Sequence, residues 1–329
     1  MASPATMSPS RLGQINATGD ADALFLKVFA GEVLTAFDRK VVAMSRQMLR
    51  NIDHGKSASF PATWKGTAGY HTPGTQLQGT GIRANERLVI IDDLLVADRF
   101  IANIDEAKNH YEVRSIYSHD IGEALAQAFD KNSLQVMALA ARASATVQGG
   151  NGGTVVAGLP ALSAVSASDF EEAVFDAVTA LDEKDVPEDE RYTFCSPALY
   201  WNLVAGSSKL VNRDYNANPQ GGYSAGIINQ IAGTELVKTN NLPKTNVSSG
   251  PTAYQGDFRN TVGLVCQRRA MGTVKLIDLA TEMDYLIEYQ GTLMVGKYAV
   301  GHGILRPECA VELSSWAVST SGVSGDVTS

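Results

Sequence analysis

The stretch Gly296-Lys297-Tyr298-Ala299-Val300-Gly301-His302-Gly303-Ile304-Leu305-Arg306-Pro307-Glu308 decides the reading of this chain. A Gly-His-Gly followed by Leu-Arg-Pro-Glu fits no phosphate, dinucleotide or metal signature. Gly301 and Gly303 read instead as a tight backbone passage between two strands, because glycine inside a strand marks a bend or a close approach. Around this passage, Thr273 to Leu313 reads as several strands, and Thr261 to Gln267 as one more.

Upstream the character is mixed. A Gly and Ala tract, Gly149 to Gly158, precedes a helix at about Asp169 to Lys184, a strand at Tyr192 to Cys195 and a helix opened by Ser196-Pro197. A polar loop at Asn212 to Gly222, a strand at Glu235 to Thr239 and a second loop at Asn240 to Asn260 follow. Before this region, Asp105 to Ala143 contains no proline, and Tyr111, Tyr117, Ile121, Leu125, Ala128, Phe129, Val136 and Ala140 can line one side of a helix. Asp105 and Glu106 suit its positive end and Arg142 its negative end. At ~1.5 Å per residue this is a rod of about 57 Å, long for an enzyme and suited to a spine. Gly122 sits inside it at a cost of about 1 kcal/mol relative to Ala, which makes it the candidate bend. Asn132-Ser133 form a second soft point.

Nearer the N-terminus, Gly55 to Ile91 reads as a long hairpin, with Ala58-Ser59-Phe60 going out and Arg87 to Ile91 returning. Its tip, Gly66 to Gly81, is dense in Gly, Thr and Pro, and loops beyond about 15 residues are uncommon in compact domains unless they are functional. The apolar positions from Leu24 to Phe37 recur at helical spacing behind a candidate N-cap, Asp22. Residues 1 to 20 read as a mobile arm.

Composition narrows the class. Hydrophobics at 44% and charged residues at 19% describe a folded soluble chain. A formal net charge of −8 argues against a nucleic-acid binder that works by neutralising phosphates. With neither a secretory apolar run nor about 20 consecutive apolar residues, the expected place of synthesis is a cytosol. Cys195, Cys266 and Cys309 are odd in number and widely spaced, so they read as buried small hydrophobes.

Chemical motifs lack their surroundings. Gly222-Tyr223-Ser224-Ala225-Gly226 matches the nucleophile elbow without the strand that must precede it. Gly55-Lys56-Ser57 resembles the end of a phosphate loop, but Arg50 stands where its first glycine belongs. His110 and His119 lie about 13 Å apart along a helix, and His54, His71 and His302 lack partners at ligand spacing. The carboxylates at Glu171-Glu172, Asp182-Glu183 and Glu188-Asp189-Glu190 read as solvated surface.

Four blocks in order carry a resemblance to the major capsid proteins of T7-like short-tailed phages: Ala23 to Phe37 (ALFLKVFAGEVLTAF), Asn109 to Ala126 (NHYEVRSIYSHDIGEALA), Gly272 to Glu282 (GTVKLIDLATE) and the Gly296 to Glu308 stretch. The resemblance implies the α+β fold of tailed-phage capsid proteins, often named after phage HK97. It also implies an N-terminal arm at 1–50, an extended E-loop hairpin at 51–92, a peripheral domain at 93–149 and 271–313, and an axial domain at 150–270. A polar tail fills 314–329.

Such a protein assembles into hexamers and pentamers of an icosahedral shell, enlarges from procapsid to expanded head, and forms part of a virion built in the host bacterial cytoplasm. Implied partners are its own copies, a scaffolding protein, a portal and packaged double-stranded DNA held without sequence readout, with no membrane. No catalytic residue, cofactor or metal is expected. Phe25, Phe29, Phe37, Phe60, Trp64 and Tyr70 are the intersubunit contact candidates. The alternatives are an encapsulin-like shell of the same fold and a cytosolic α/β enzyme, for which no convergent residues can be named.

Overall fold

The structure is a computed structural model that describes residues 42–66, 68–74, 76, 79, 81–102, 113–206, 221–222 and 227–315. Several expectations therefore fall outside the described residues: the apolar segment with Phe25, Phe29 and Phe37, the first turns of the long helix, Tyr223 to Gly226, and nearly all of the polar tail.

In chain order the strands are β1 (Met48–Asn51), β2 (Ser57–Thr63), β3 (Ala84–Ile90), β4 (Leu95–Ala102), β5 (Thr154–Val156), β6 (Arg191–Cys195), β7 (Gly221–Gly222), β8 (Ile227–Ile228), β9 (Gln230–Ile231), β10 (Thr234–Lys238), β11 (Asn246–Val247), β12 (Gly256–Asp257), β13 (Thr261–Gln267), β14 (Met271–Leu286), β15 (Gly291–Ile304) and β16 (Ala310–Ser314). The helices are α1 (Val113–Arg142), α2 (Ala167–Asp182) and α3 (Pro197–Gly206). One sheet runs β1-β14-β15-β4, another β5-β16-β13-β6-β10-β9, and β2-β3 form a separate ribbon.

The long helix serves both sheets. Its early part sets Ile121 and Leu125 against Ile101 of β4, Phe129 meets Tyr298 and Val300 of β15, and Leu134 to Ala141 join the large core under the six-stranded sheet. The apolar stripe predicted from spacing is thus buried at Ile121, Leu125, Phe129, Val136 and Ala140, while Ala128 is half-buried. β13 lies at the centre of the second sheet with all seven residues buried, which explains why its sequence is a continuous apolar run and not an alternating one.

Local chemistry sets the boundaries. The helix expected from Asp169 begins earlier, at Ala167, because Ser166 Oγ accepts the Asp169 N–H and the Asp169 carboxylate accepts the Ser166 N–H, each at 3.2 Å. The Gly and Ala tract contains a strand: β5 pairs in parallel with β16. At the end of α1, Arg142 does more than suit the helix dipole. Its Nε donates to Glu312 Oε2 at 2.5 Å and a terminal nitrogen to Oε1 at 2.6 Å, while the Thr261 hydroxyl completes the fully buried carboxylate at 2.6 Å. Asp182, expected at the surface, is 53% exposed there and also pairs with the buried Arg191 guanidinium at 2.7 Å.

Where the described chain begins, the backbone N–H groups of Val42 and Ala43 donate to the buried Asp130 carboxylate of α1 at 2.9 and 3.0 Å. Burial raises the pKa of that carboxyl above its usual range. These bonds fasten the segment that leads into β1, which pairs in parallel with β14.

Candidate intersubunit surface

The β2–β3 ladder pairs Ala58 with Val89, Phe60 with Arg87 and Ala62 with Asn85, so these residues share one face. That face is docked on the rest of the subunit. Asn85 Nδ2 donates to the Thr146 carbonyl at 2.7 Å, Arg87 Nε to Thr146 Oγ1 at 3.2 Å, and Arg83 to the Gln148 carbonyl at 3.1 Å. Val89 packs with Ala58, Ile91, Val274, Ala299 and Leu305.

The Gly-His-Gly stretch is the seat of this ribbon. A Cβ on Gly301 would fall 2.1 Å from the Ile90 carbonyl oxygen, and one on Gly303 would fall 2.6 Å from Val89 Cγ2. The close approach predicted from the glycines is therefore real, but it comes from a hairpin crossing the face of β15, not from the strands beside it in the sheet. His302 points to the opposite face. There it is 3% exposed, bonds Thr273 Oγ1 through Nδ1 at 2.7 Å and meets the Phe129 ring edge-on at 4.8 Å. Burial pushes its pKa down to about 3, so it is neutral and inaccessible to a substrate.

The other face of the ribbon carries Ser57, Ser59, Pro61, Glu86, Leu88 and Ile90, and Ile82 lies just ahead of β3. Ile82, Leu88 and Ile90 are 67%, 58% and 55% exposed. Single exposed apolar residues need no explanation, whereas Leu88 and Ile90 side by side on one face of a narrow ribbon, with Ile82 just ahead of it, form a strip suited to contact. A second exposed group is Tyr285 near the end of β14 with Ile287 and Tyr289 in the β14–β15 turn, and Met48 and Leu49 lie open on the edge strand β1.

The sequence candidates divide in their surroundings. Tyr70 is fully exposed, whereas Phe60 lies on the docked face with the Arg50 guanidinium 5.8 Å over its ring, and Trp64 rests against Gly150. Leu88 and Ile90 were not singled out beforehand, although Leu88-Val89-Ile90 puts apolar side chains on both faces of one strand, and that pattern was available to find them. Gly122 lies within unbroken α1, and a Cβ there would meet nothing within 4 Å.

Among the described residues nothing gathers into a reactive centre. Among the described residues no group of three or more His, Cys, Asp or Glu could hold a metal. All three cysteines are buried with thiols pushed up to about 12, far from nucleophilic. A cavity of about 10 Å³ beside Trp64, Thr146 and Arg306 has room for one water at most. No helix among the described residues is long and apolar enough to cross a membrane.

A family model described as Gp10A-like major capsid protein matches residues 59–314. The major capsid protein of Escherichia phage T7 is 35% identical over 325 residues, covering 89% of this chain and 92% of the relative. That of Enterobacteria phage T3 is 34% identical over 327 residues, covering 91% and 93%. Among solved structures, the capsid of cyanophage P-SCSP1u is similar with a TM-score of 0.78 and 41% identity over 95% of this chain and 99% of the other. The mature capsid of bacteriophage PhiM1, at 20% identity and a TM-score of 0.70 over 93% and 96%, shares the fold.

Proposed function

The chain belongs to the Gp10A-like major capsid protein family, and on that premise we propose how one subunit engages its neighbours. As a phage major capsid protein it forms the capsid shell of the virion and is not an enzyme. The encapsulin-like and enzyme alternatives are not favoured, since the relatives above 30% identity are phage capsid proteins.

The contact runs through the β2–β3 hairpin. The observation that carries this reading is the exposed row Ile82, Leu88 and Ile90 on a ribbon whose other face is already docked. A two-stranded ribbon is marginal by itself in water, and covering its apolar face with a neighbouring copy removes that liability. Tyr70 at the tip, with Phe60 and Trp64 bracing the ribbon on its docked side, belongs to the same strap. The apolar segment with Phe25, Phe29 and Phe37 is proposed as a second strap.

Head-to-tail contacts of this kind close into rings where the rotation permits. Hexamers and pentamers joined edge to edge then make an icosahedral shell in which each subunit buries well beyond the roughly 1,600 Å² of a standard interface. We assign residues 51–92 to the E-loop, 93–149 and 271–313 to the peripheral domain, and 150–270 to the axial domain, with 1–50 as the arm. β16 pairs with β13, so the end of the peripheral segment is stitched into the axial sheet. A scaffolding protein, a portal and enclosed double-stranded DNA are the further partners proposed, with assembly in the host cytoplasm. The net charge of −8 supports a wall that confines DNA without gripping its phosphates. Enlargement from procapsid to head is proposed to alter the curvature of α1, with any bend concentrated at Gly122.

Deletion of Lys65 to Gly81 tests the strap. The expected outcome is a soluble, folded subunit that yields few or no closed shells by electron microscopy and size-exclusion chromatography. Normal shells from the deletion would refute it.

A further inference from the structure

We propose that the Tyr254 hydroxyl is the latch that fixes the hairpin at its root, a positioning residue for the contact made by the hairpin's outer face. The proposal rests on the reading of that hairpin as an intersubunit strap. β4 pairs with β15 only from Gly291 to Tyr298. Beyond Tyr298 that edge of β15 has no partner strand among the described residues, and its polar groups are satisfied in some other way. Two groups do so. The Asp92 N–H, one residue past Ile91, donates to the Val300 carbonyl at 3.2 Å, and the His302 N–H donates to the Tyr254 hydroxyl oxygen at 3.2 Å. That same hydroxyl donates its proton to the Asp92 carboxylate. One oxygen thus joins the hairpin exit to the strand on which Gly301 and Gly303 seat the hairpin.

The phenol comes from elsewhere in the chain, from the short helical turn Thr252–Tyr254, and is 3% exposed, with its ring 5.8 Å from the His302 ring. A phenylalanine would pack in the same place. Without the hydroxyl, the His302 N–H is orphaned and the half-buried Asp92 carboxylate loses its donor, both of which carry a cost. The hydroxyl therefore specifies where Asp92 sits, and through Asp92 the angle at which β3 leaves the body.

The test is hydrogen exchange on the full-length subunit, paired with electron microscopy of its assemblies. In Tyr254→Phe the amides at 89–92 are expected to lose at least about tenfold of their protection, as a local opening does, while the amides of β13 keep theirs. Asp92→Asn, which retains an acceptor, keeps the protection, whereas Asp92→Ala loses it and adds nothing further in combination with Tyr254→Phe. Shells of Tyr254→Phe are expected to be fewer and misshapen. Unchanged exchange at 89–92, or a loss shared equally by β13, overturns the latch. If exchange is lost but shells are normal, the positioning role is overturned. Deletion of Lys65 to Gly81 then decides whether the strap reading falls as well, because only that reading requires the deletion to block assembly.

Discussion

The six-stranded sheet and the β2–β3 ribbon dispose of apolar strands in opposite ways. In the sheet, β13 has neighbours on both edges and on both faces, and its seven residues are all buried within one subunit. Even the charge there is settled at home, with Glu312 held by Arg142 and Thr261. The ribbon has the same kind of residues but a partner on one face only, so Leu88 and Ile90 stay open while Val89 between them is buried. One region of this subunit is thus complete within the monomer, and the other keeps an open apolar face, which the proposed strap would cover in an assembly.

The largest expected effect falls on the complete region. Glu312→Ala leaves the Arg142 guanidinium without its carboxylate, and breaking such a buried pair costs about 3 to 5 kcal/mol. The low end applies here because the Arg142 side chain keeps 25% of its surface exposed. Chemical denaturation of the subunit measures it, and a loss under about 1 kcal/mol would break the contrast.

His302 lies between the two regions and reports on both. Its pKa is lowered to about 3 in the folded chain, against about 6.5 unfolded. Between those values only the unfolded chain takes up the proton, so the stabilisation is present above pH 6.5 and is lost as pH falls toward 3. The slope should reach about 1.4 kcal/mol per pH unit. Asp92 and Asp130, whose pKa values are raised by burial, act in the opposite sense at lower pH. Comparison of the native chain with His302→Gln isolates the histidine, and parallel pH profiles for the two would remove it as a titrating group.

Gly301→Ala sharpens the contrast at the seat. The added methyl meets the Ile90 backbone, which cannot rotate away, so the hairpin must lift at a cost of about 1 to 3 kcal/mol. Limited proteolysis should cut the hairpin sooner while the six-stranded core stays protected. Equal susceptibility of both would show that seat and core are one unit.

The smallest effect belongs to Gly122→Ala. The added methyl meets open space, so α1 should gain up to about 1 kcal/mol. Summed over many subunits, this should move the expansion threshold of shells toward the straighter helix. Unchanged expansion would leave Gly122 a local feature of one helix.

Legibility followed the same division. The strand predicted at Thr261 to Gln267 matches β13 residue for residue, and the end of the long helix falls at Arg142 as its composition suggested. Both signals are periodic and local. The close approach at Gly301 and Gly303 was also readable, because only a missing side chain admits a backbone so near. The hairpin was legible as a hairpin, but which of its two faces is open was not. Phe60, named as a contact candidate, lies on the docked face, and Leu88 and Ile90, which were not named, lie on the open one, with the exposed Ile82 just ahead of β3. The acidic run gave no sign that Asp182 would hold a buried arginine.

By itself the sequence determined the hairpin, the end of the long helix, the buried strand at Thr261 to Gln267, where glycine is obligatory and which family the blocks resemble, because these depend on neighbours a few residues away. β5 inside the Gly and Ala tract, and β11 and β12 inside the expected loop Asn240 to Asn260, became strands through their pairing partners. Only the tertiary structure decided which face of the ribbon is free, that Arg142 closes on Glu312 170 residues later, and that Tyr254 stands where β4 stops. Those outcomes depend on groups far apart in the chain meeting in a space that excludes water, and no local pattern records the partner.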